Sequence, residues 1–373
     1  MTTATKERKR KATGVSLSAQ TLKEAMAAVA GAVQTKSPKP VLQSVLLSGG
    51  VLSGSDLEIR IDVEIDAPPD VSVLLPYDRF AAILKNCSAD EVVLAIDTSS
   101  CVITAGRGTW TLPTEDVNEY PTWEPAGAKP LTRLPADQFV RAVKGTVFSA
   151  DNESSRFALG AVLVEVAGEV VTFVATDGRR LSSVTCEHDL AVDDSQTLVP
   201  ARAMSIIARL AAHAGTDSVQ LEATKNEIVA TVGGTTVTAR LMDGRFPRWR
   251  DVLPERDAKA TTVNREDLFA ATRAAAICSS EESKGVTFAF TADGIWLQGR
   301  SAEKGESSVT CDVVEAGDKA SVKLDPAFVV EWLGGISGDA EPTVDVEVVD
   351  AQSAVIMRCG DNTGVIMPLA EDA

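Results

Sequence analysis

A chain of 373 residues is too long for one compact core, and at about 100 to 200 residues per domain it implies two or three domains. It carries 53 Asp and Glu against 36 Lys and Arg, a formal net charge of -17, which argues against a surface that is basic throughout. A local positive wall remains possible, because net charge averages over the whole surface. The chain holds no apolar run near the ~18 to 20 residues of a membrane span and no apolar N-terminal signal, so a cytoplasmic protein without membrane contact is expected.

Residues 1–14 form the first segment. They contain the run Lys6-Glu7-Arg8-Lys9-Arg10-Lys11 and read as a flexible basic tail. From Val15 onward the elements recur. An amphipathic helix is expected over Ser18 to Gln34, with Leu22, Met26, Val29 and Val33 on one face. A second begins at Leu75-Pro76-Tyr77, and the link Glu124 to Pro130 then interrupts the pattern. The next third opens with a helix over Pro135 to Ser149, carrying Phe139, Val143 and Val147. Strands follow at Ala161 to Val166 and Val170 to Ala175. Its second helix starts at Val199-Pro200-Ala201, before strands at Ser218 to Leu221 and Glu227 to Val232. After the charged link Glu255-Arg256-Asp257 the order returns. A helix is expected over Asn264 to Ser280, with Leu268 and Ala275 inward, another from Leu324-Asp325-Pro326, and strands at Thr343 to Val349 and Ser353 to Arg358. The three Pro-marked helix starts repeat at about 124 residues, with Pro preset for the first turn. The expected fold class is therefore α+β: three similar domains, each with two helices packed on antiparallel sheet, at 15–130, 131–255 and 256–373.

Enzyme signatures are missing. The sequence has no G-x-x-x-x-G-K-[ST] phosphate loop, no G-x-G-x-x-G, no H-E-x-x-H and no G-x-S-x-G. Cys87, Cys101, Cys186, Cys278, Cys311 and Cys359 are dispersed, with only His188 and His213 to complete a metal site, so reduced, partly buried thiols are expected. Asp177 and Asp243 could hold Mg2+, but both precede Gly, where a turn is the simpler role. A metal-dependent nucleic-acid enzyme is one rival reading, and a monomeric peptide-binding adaptor is another.

Three ordered segments weigh more than any single residue. They are Ala175-Thr176-Asp177-Gly178-Arg179-Arg180-Leu181, the stretch Asp243-Gly244-Arg245-Phe246-Pro247-Arg248-Trp249-Arg250-Asp251-Val252-Leu253-Pro254, and Val365-Ile366-Met367-Pro368-Leu369. Together they resemble the peptide-binding cleft of bacterial DNA sliding clamps, the beta-subunit family of DNA polymerase III. The resemblance covers essentially the whole chain after the tail. It implies half of a closed ring, a processivity factor that encircles double-stranded DNA without reading its sequence. It also implies no cofactor, metal or catalytic residue, any ATP belonging to the loader.

In that family the three segments converge on a shallow cleft for short linear peptides. The implied partners are the DNA polymerase catalytic subunit, the ATP-driven clamp loader, and repair and ligation proteins. Carried over by motif, the cleft comprises Leu159, Thr176, Gly178, Arg179, Arg180, Leu181, Pro247, Val252, Val365, Met367 and Pro368; Leu159 enters through Arg156-Phe157-Ala158-Leu159. The apolar members suit leucine or phenylalanine anchors, and Arg180 is expected to hold a carbonyl or carboxylate.

The family also closes its ring by head-to-tail pairing of two chains. The resemblance places that joint at Arg79, Ile83, Trp110 and Leu112 on one side and Ile277 and Cys278 on the other. DNA-facing charge is expected at Lys23, Lys85, Arg141, Lys144, Arg202, Arg209 and Arg273, on polar helix faces, in a nucleoid-associated protein. Three positions depart from the family pattern: Arg179 where His is frequent, Asp251 for a common basic residue, and the end Ala370-Glu371-Asp372-Ala373 where many clamps end in Arg-Leu. They point to a divergent member, actinobacterial or phage-encoded, whose acidic end disfavours acidic peptides.

Overall fold

The computed structural model describes residues 14–123, 127–151, 157–253, 258–279, 285–336 and 341–370, the side chain of Phe157 excepted. The basic run Lys6 to Lys11, Glu124 to Ala126 of the first link, Arg156, Glu255 to Asp257 of the second link and Glu371 to Ala373 lie outside the described residues. Two compact units are present. The first comprises residues 1–128 with 227–240, and the second residues 129–226 with 241–373.

In the first unit, helices α1 (Ala19–Val29) and α2 (Tyr77–Lys85) pack against each other. Helix α1 starts where Ser18 Oγ accepts a hydrogen bond from the Thr21 amide, and it buries Leu22, Ala25, Met26 and Val29 on one stripe. It stops short of Gln34. The turn Ala30–Ala32 tightens into 3-10 geometry around Gly31, a poor helix former. A six-strand run has the order Ser72–Pro76, Ser44–Ser48, Val51–Ser55, Ile59–Glu64, Thr235–Arg240 and Glu227–Val232. A four-stranded antiparallel sheet has the order Gly14–Ser18, Glu91–Ile96, Ser100–Ala105 and Gly108–Pro113, the last being its edge.

Tyr120 to Trp123 is architectural in this unit. Tyr120 is buried beside Val41, Leu42 and Leu74, and its hydroxyl donates to Ser53 O at 3.3 Å. Arg60 holds Pro121 O at 3.1 Å, and the Trp123 indole donates to Glu227.

In the second unit, α3 (Ala136–Lys144) packs on α4 (Ala201–His213), and α5 (Arg265–Ala276) packs on α6 (Pro326–Gly335). Side chains set two of these starts: Asn264 accepts from the amides of Glu266 and Asp267, and Asp325 from that of Ala327. Pro326 occupies the first turn as expected, whereas Pro76 and Pro200 sit one residue earlier, at the caps of α2 and α4. Helix α3 ends at Gly145 rather than Ser149, and Val147–Ser149 forms a 3-10 turn.

A nine-stranded sheet dominates this unit. Its order is Ser195–Pro200, Ala161–Ala167, Val170–Thr176, Arg180–Glu187, Asn362–Ile366, Val355–Cys359, Thr343–Glu347, Thr261–Asn264 and Val313–Glu315. One face meets the helices, where Phe139 of α3 stands edge-on to Phe173 with ring centres 5.9 Å apart. A four-stranded sheet has the order Gly305–Cys311, Gly294–Ser301, Val286–Thr291 and Ala320–Leu324, and Ser218–Ala223 pairs with Lys129–Pro135. No helix among the described residues is long and apolar enough to cross a membrane.

Candidate peptide-docking site

Strand register decides which residues share a face, because side chains alternate along a strand and directly paired residues lie on the same side. Thr176 pairs with Leu181, and Leu181 with Val365, so these three form a row across neighbouring strands on the face away from the helices. Leu163 and Val174, also paired, continue that face. Phe246 and Trp249, from the segment carrying Pro247 and Val252, pack on it in one cluster with Leu163, Val174, Leu181, Ala354 and Val365.

Of the expected apolar floor, Leu181 and Val365 belong to this cluster, which includes the chain's own aromatics. Leu181 and Val365 are buried. The other expected apolar members, taken together as the rim, keep accessible surface: Val252 is 43% exposed, Met367 45% exposed and Pro247 exposed, with Leu159 and Pro368 partly exposed. Two contacts fix the rim. The Met367 amide donates to Arg179 O at 2.9 Å. Leu159 O accepts from the Asp151 amide, also at 2.9 Å.

The turn Asp177 to Arg179 is held by its own side chains. Asp177 Oδ1 accepts from the amides of Arg179 and Arg180 at 2.8 and 2.9 Å, and Thr176 Oγ1 accepts from the Gly178 amide at 3.1 Å. Gly178 has φ +85°, the left-handed region that glycine enters without a Cβ penalty. The Asp177 carboxylate is thus engaged in the turn. Asp243 is exposed, and among the described residues no group of three or more His, Cys, Asp or Glu is placed to hold a metal ion.

Arg180 has a different setting from Leu181. It pairs with Ile366, not with the Leu181 row, and so projects from the helix face. There its guanidinium bonds Asp177 at 3.1 Å, Phe148 O at 2.7 Å and Glu331 of α6, and lies over the rings of Phe148 and Phe328 at 5.4 and 4.3 Å.

Sequence reasoning missed Leu163, Val174, Phe246 and Trp249 as the material of the floor, and the ion pair behind it. Arg250 Nη1 meets the Glu165 carboxylate at 2.5 Å, Gln196 Nε2 donates to the other oxygen at 2.6 Å, and Arg250 stacks over Trp249 at 4.2 Å. The period-two parity of Leu163 and Glu165 was the available signal.

The remaining expected residues fall as follows. Lys23 lies on α1 and donates to Cys87 O at 3.0 Å; Lys85 lies on α2, Arg141 and Lys144 on α3, Arg202 and Arg209 on α4, and Arg273 on α5 over Phe269. Arg79 and Ile277 are exposed, Ile277 at 73%, and Cys278 is partly exposed. Ile83 and Leu112 are buried in the core of their own unit, and the Trp110 ring lies back across Gly108 of its own strand. Burial pushes the thiols of Cys101, Cys186 and Cys311 up to about 11, which leaves them protonated and unreactive at neutral pH.

Models of the DNA polymerase III beta subunit match in three consecutive parts: the N-terminal domain over residues 14–124, the central domain over 133–248 and the C-terminal domain over 250–370. The beta sliding clamp of Pseudomonas putida is 28% identical over 355 residues, covering 91% of this chain and 95% of the relative. That of Haemophilus influenzae is 26% identical over 365 residues, covering 95% and 99%. The solved sliding clamp of Pseudomonas aeruginosa bound to griselimycin superposes with a TM-score of 0.88 at 25% identity, over 96% of this chain and 99% of that one.

Proposed function

Because the chain belongs to the DNA polymerase III beta-subunit family and is a DNA sliding clamp of three similar α+β domains, we propose that it closes as a head-to-tail homodimer and tethers its partners through the apolar rim. The domain division follows the repeat, at 15–130, 131–255 and 256–373. A tether of this kind raises the polymerase's effective concentration at the primer end and makes no bond of its own. The single observation that carries the docking reading is the shared face of Thr176, Leu181 and Val365, rimmed by Pro247, Val252 and Met367. Leu159, Gly178, Arg179 and Pro368 complete the docking surface, while Arg180 braces it from behind.

The joint is supported by two sheet edges. Gly108–Pro113 ends one four-stranded sheet and Gly305–Cys311 ends another, each pairing with one neighbouring strand among the described residues, so that a second chain can pair along its outer edge. Arg79 and Arg107 bring positive charge to the first unit, and Glu303 is exposed beside the second edge, where Glu306 is paired with Arg300 at 3.0 Å. Ile277 stands at the end of α5, which packs on the Gly305–Cys311 strand. Cys278 and Trp110 belong to the same joint. Ile83 and Leu112 support it from within.

The DNA-facing set is Lys23, Lys85, Arg141, Lys144, Arg202, Arg209 and Arg273. Sparse basic groups suit sliding, since each tight phosphate contact adds affinity that holds the ring in place. An ATP-driven loader would open and place the ring in the cytoplasm, at the nucleoid, and repair and ligation proteins would share the rim with the polymerase. Light scattering coupled to size exclusion across a dilution series tests closure: a mass about twice the 39.2 kDa chain is expected. Retention on nicked circular DNA with escape after linearisation then separates the ring from a monomeric adaptor, and a metal-dependent nuclease assay on the same preparation addresses the enzyme reading.

A further inference from the structure

Behind the rim, a pocket of about 280 Å³ lies between the sheet and the segment 245–250. Leu163, Glu165 and Gln196 form its sheet side, and Pro247 and Trp249 belong to its other wall. Its polar lining is rich in donors. Arg245, Arg248 and Arg250 all border it, and the one carboxylate present, Glu165, is already bound by Arg250 at 2.5 Å and by Gln196 at 2.6 Å. Arg245 and Arg248 are exposed and have no ion-pair partner among the described residues. The pocket therefore carries two positive charges that its own acid does not neutralise.

A second observation is independent of charge. The Trp249 side chain is buried at 8% exposure, and its Nε1–H has no acceptor among the described residues. A buried donor left without a partner costs free energy that an entering acceptor would recover. Pro247 connects this pocket to the docking rim, since it borders both.

We propose that the pocket accepts an acidic side chain of the peptide docked on the rim, its carboxylate held by Arg245, Arg248 and the Trp249 indole. The proposal rests on the docking reading and names the chemistry of the peptide. A neutral side chain could satisfy the indole but not the two guanidiniums, and charge-assisted bonds are the stronger ones. The pocket is set apart from the last strand of the chain. The pocket sits on the strands Ser195–Pro200 and Ala161–Ala167, whereas the chain leaves the sheet at Ile366, three strand spacings from Ala161–Ala167. At about 4.8 Å each that is roughly 14 Å, beyond the screening length of about 8 Å at physiological salt.

The test uses the full chain and two fluorescein-labelled peptides that share a Leu and Phe anchor pair in a Ser/Gly frame and carry either Glu or Gln at both flanks. Fluorescence anisotropy is expected to show the Glu peptide binding about fivefold tighter at low salt, as for a partly exposed charge pair. The double variant Arg245→Gln, Arg248→Gln should remove that preference and leave the Gln peptide unchanged; both side chains are exposed, so the fold is not at risk. The Trp249 indole N–H resonance should move with the Glu peptide and not with the Gln peptide. Equal affinity for the two peptides overturns the proposal, as does a preference that survives in the double variant. Loss of the preference when a short DNA duplex is added would assign the arginines to phosphate instead, and also overturns it. If neither peptide binds, the docking reading itself fails and the pocket assignment falls with it.

Discussion

Arg180 and Leu181 are neighbours in the chain and share nothing else. Leu181 packs under Phe246 and Trp249, while Arg180 passes to the helix face and ties the turn at Asp177 to Phe148 and to Glu331 of α6. A motif read as a string places both in one cleft, and the alternation of a strand separates them. Arg180→Met should therefore leave peptide chemistry on the rim intact but loosen its support. It strips Asp177 of an ion pair and exposes the Phe148 carbonyl, so a loss of about 1–3 kcal/mol is expected, read as a lower urea midpoint at unchanged slope. The thiols give a second prediction at this scale. With Cys101, Cys186 and Cys311 raised to about 11 by burial, iodoacetamide at pH 8 should leave these three unlabelled in the folded protein, and mass spectrometry of the digested protein should find their adducts only after unfolding in urea. The sign follows for stability as well. A raised thiol pKa means that the folded state keeps its proton while the unfolded state loses it above about 9. The contribution is whole below that pH and is lost as pH rises towards 11, so the urea midpoint of the reduced protein should fall over that window, and less so in a Cys101→Ala, Cys186→Ala variant.

At the scale of elements, the packing of α6 on the sheet depends on one missing side chain. A Cβ on Gly364 would meet Trp332 Nε1 at 2.4 Å and two further ring atoms at 2.7 Å, so the buried indole lies directly on the Asn362–Ile366 strand. Gly364→Ala should lift α6 and destabilise the unit by about 1–3 kcal/mol, the usual cost of overpacking, with a red shift of tryptophan emission as Trp332 gains solvent. That close approach was not legible in the sequence, because it depends on where α6 packs on the strand. Much else was legible. Helix starts could be read because local capping fixes them: Ser18, Asn264 and Asp325 each accept from an amide in the first turn. Helix ends were less readable, since α1 tightens at Gly31 and α3 stops at Gly145, where the amphipathic pattern continues unbroken. The rim residues were found by motif, but the floor beneath them depends on Leu163 pairing with Val174, a register that no linear motif encodes.

At the scale of the whole molecule, the charge of -17 and the encircling of DNA are compatible because sliding needs few phosphate contacts, and the candidate contacts are confined to α1 through α5. The helix α6 contributes no basic residue. Closure is then the property on which function turns, and Ile277 is the side chain that tests it most cleanly. At 73% exposure it contributes little to its own unit, so Ile277→Asp should leave the thermal midpoint of the monomer unchanged. In a closed ring the same side chain would be buried at each of two identical joints. Placing an unpaired carboxylate there costs about 2 kcal/mol or more per joint, and both joints form together, so the penalty for the ring is about 4 kcal/mol and its dissociation constant should rise by about a thousandfold. Light scattering at micromolar concentration would then report the single-chain mass, and the variant would leave nicked circles as quickly as linear DNA. A variant that stays dimeric with a dissociation constant within about tenfold of the parent would place the joint elsewhere, because a charge buried twice cannot cost so little.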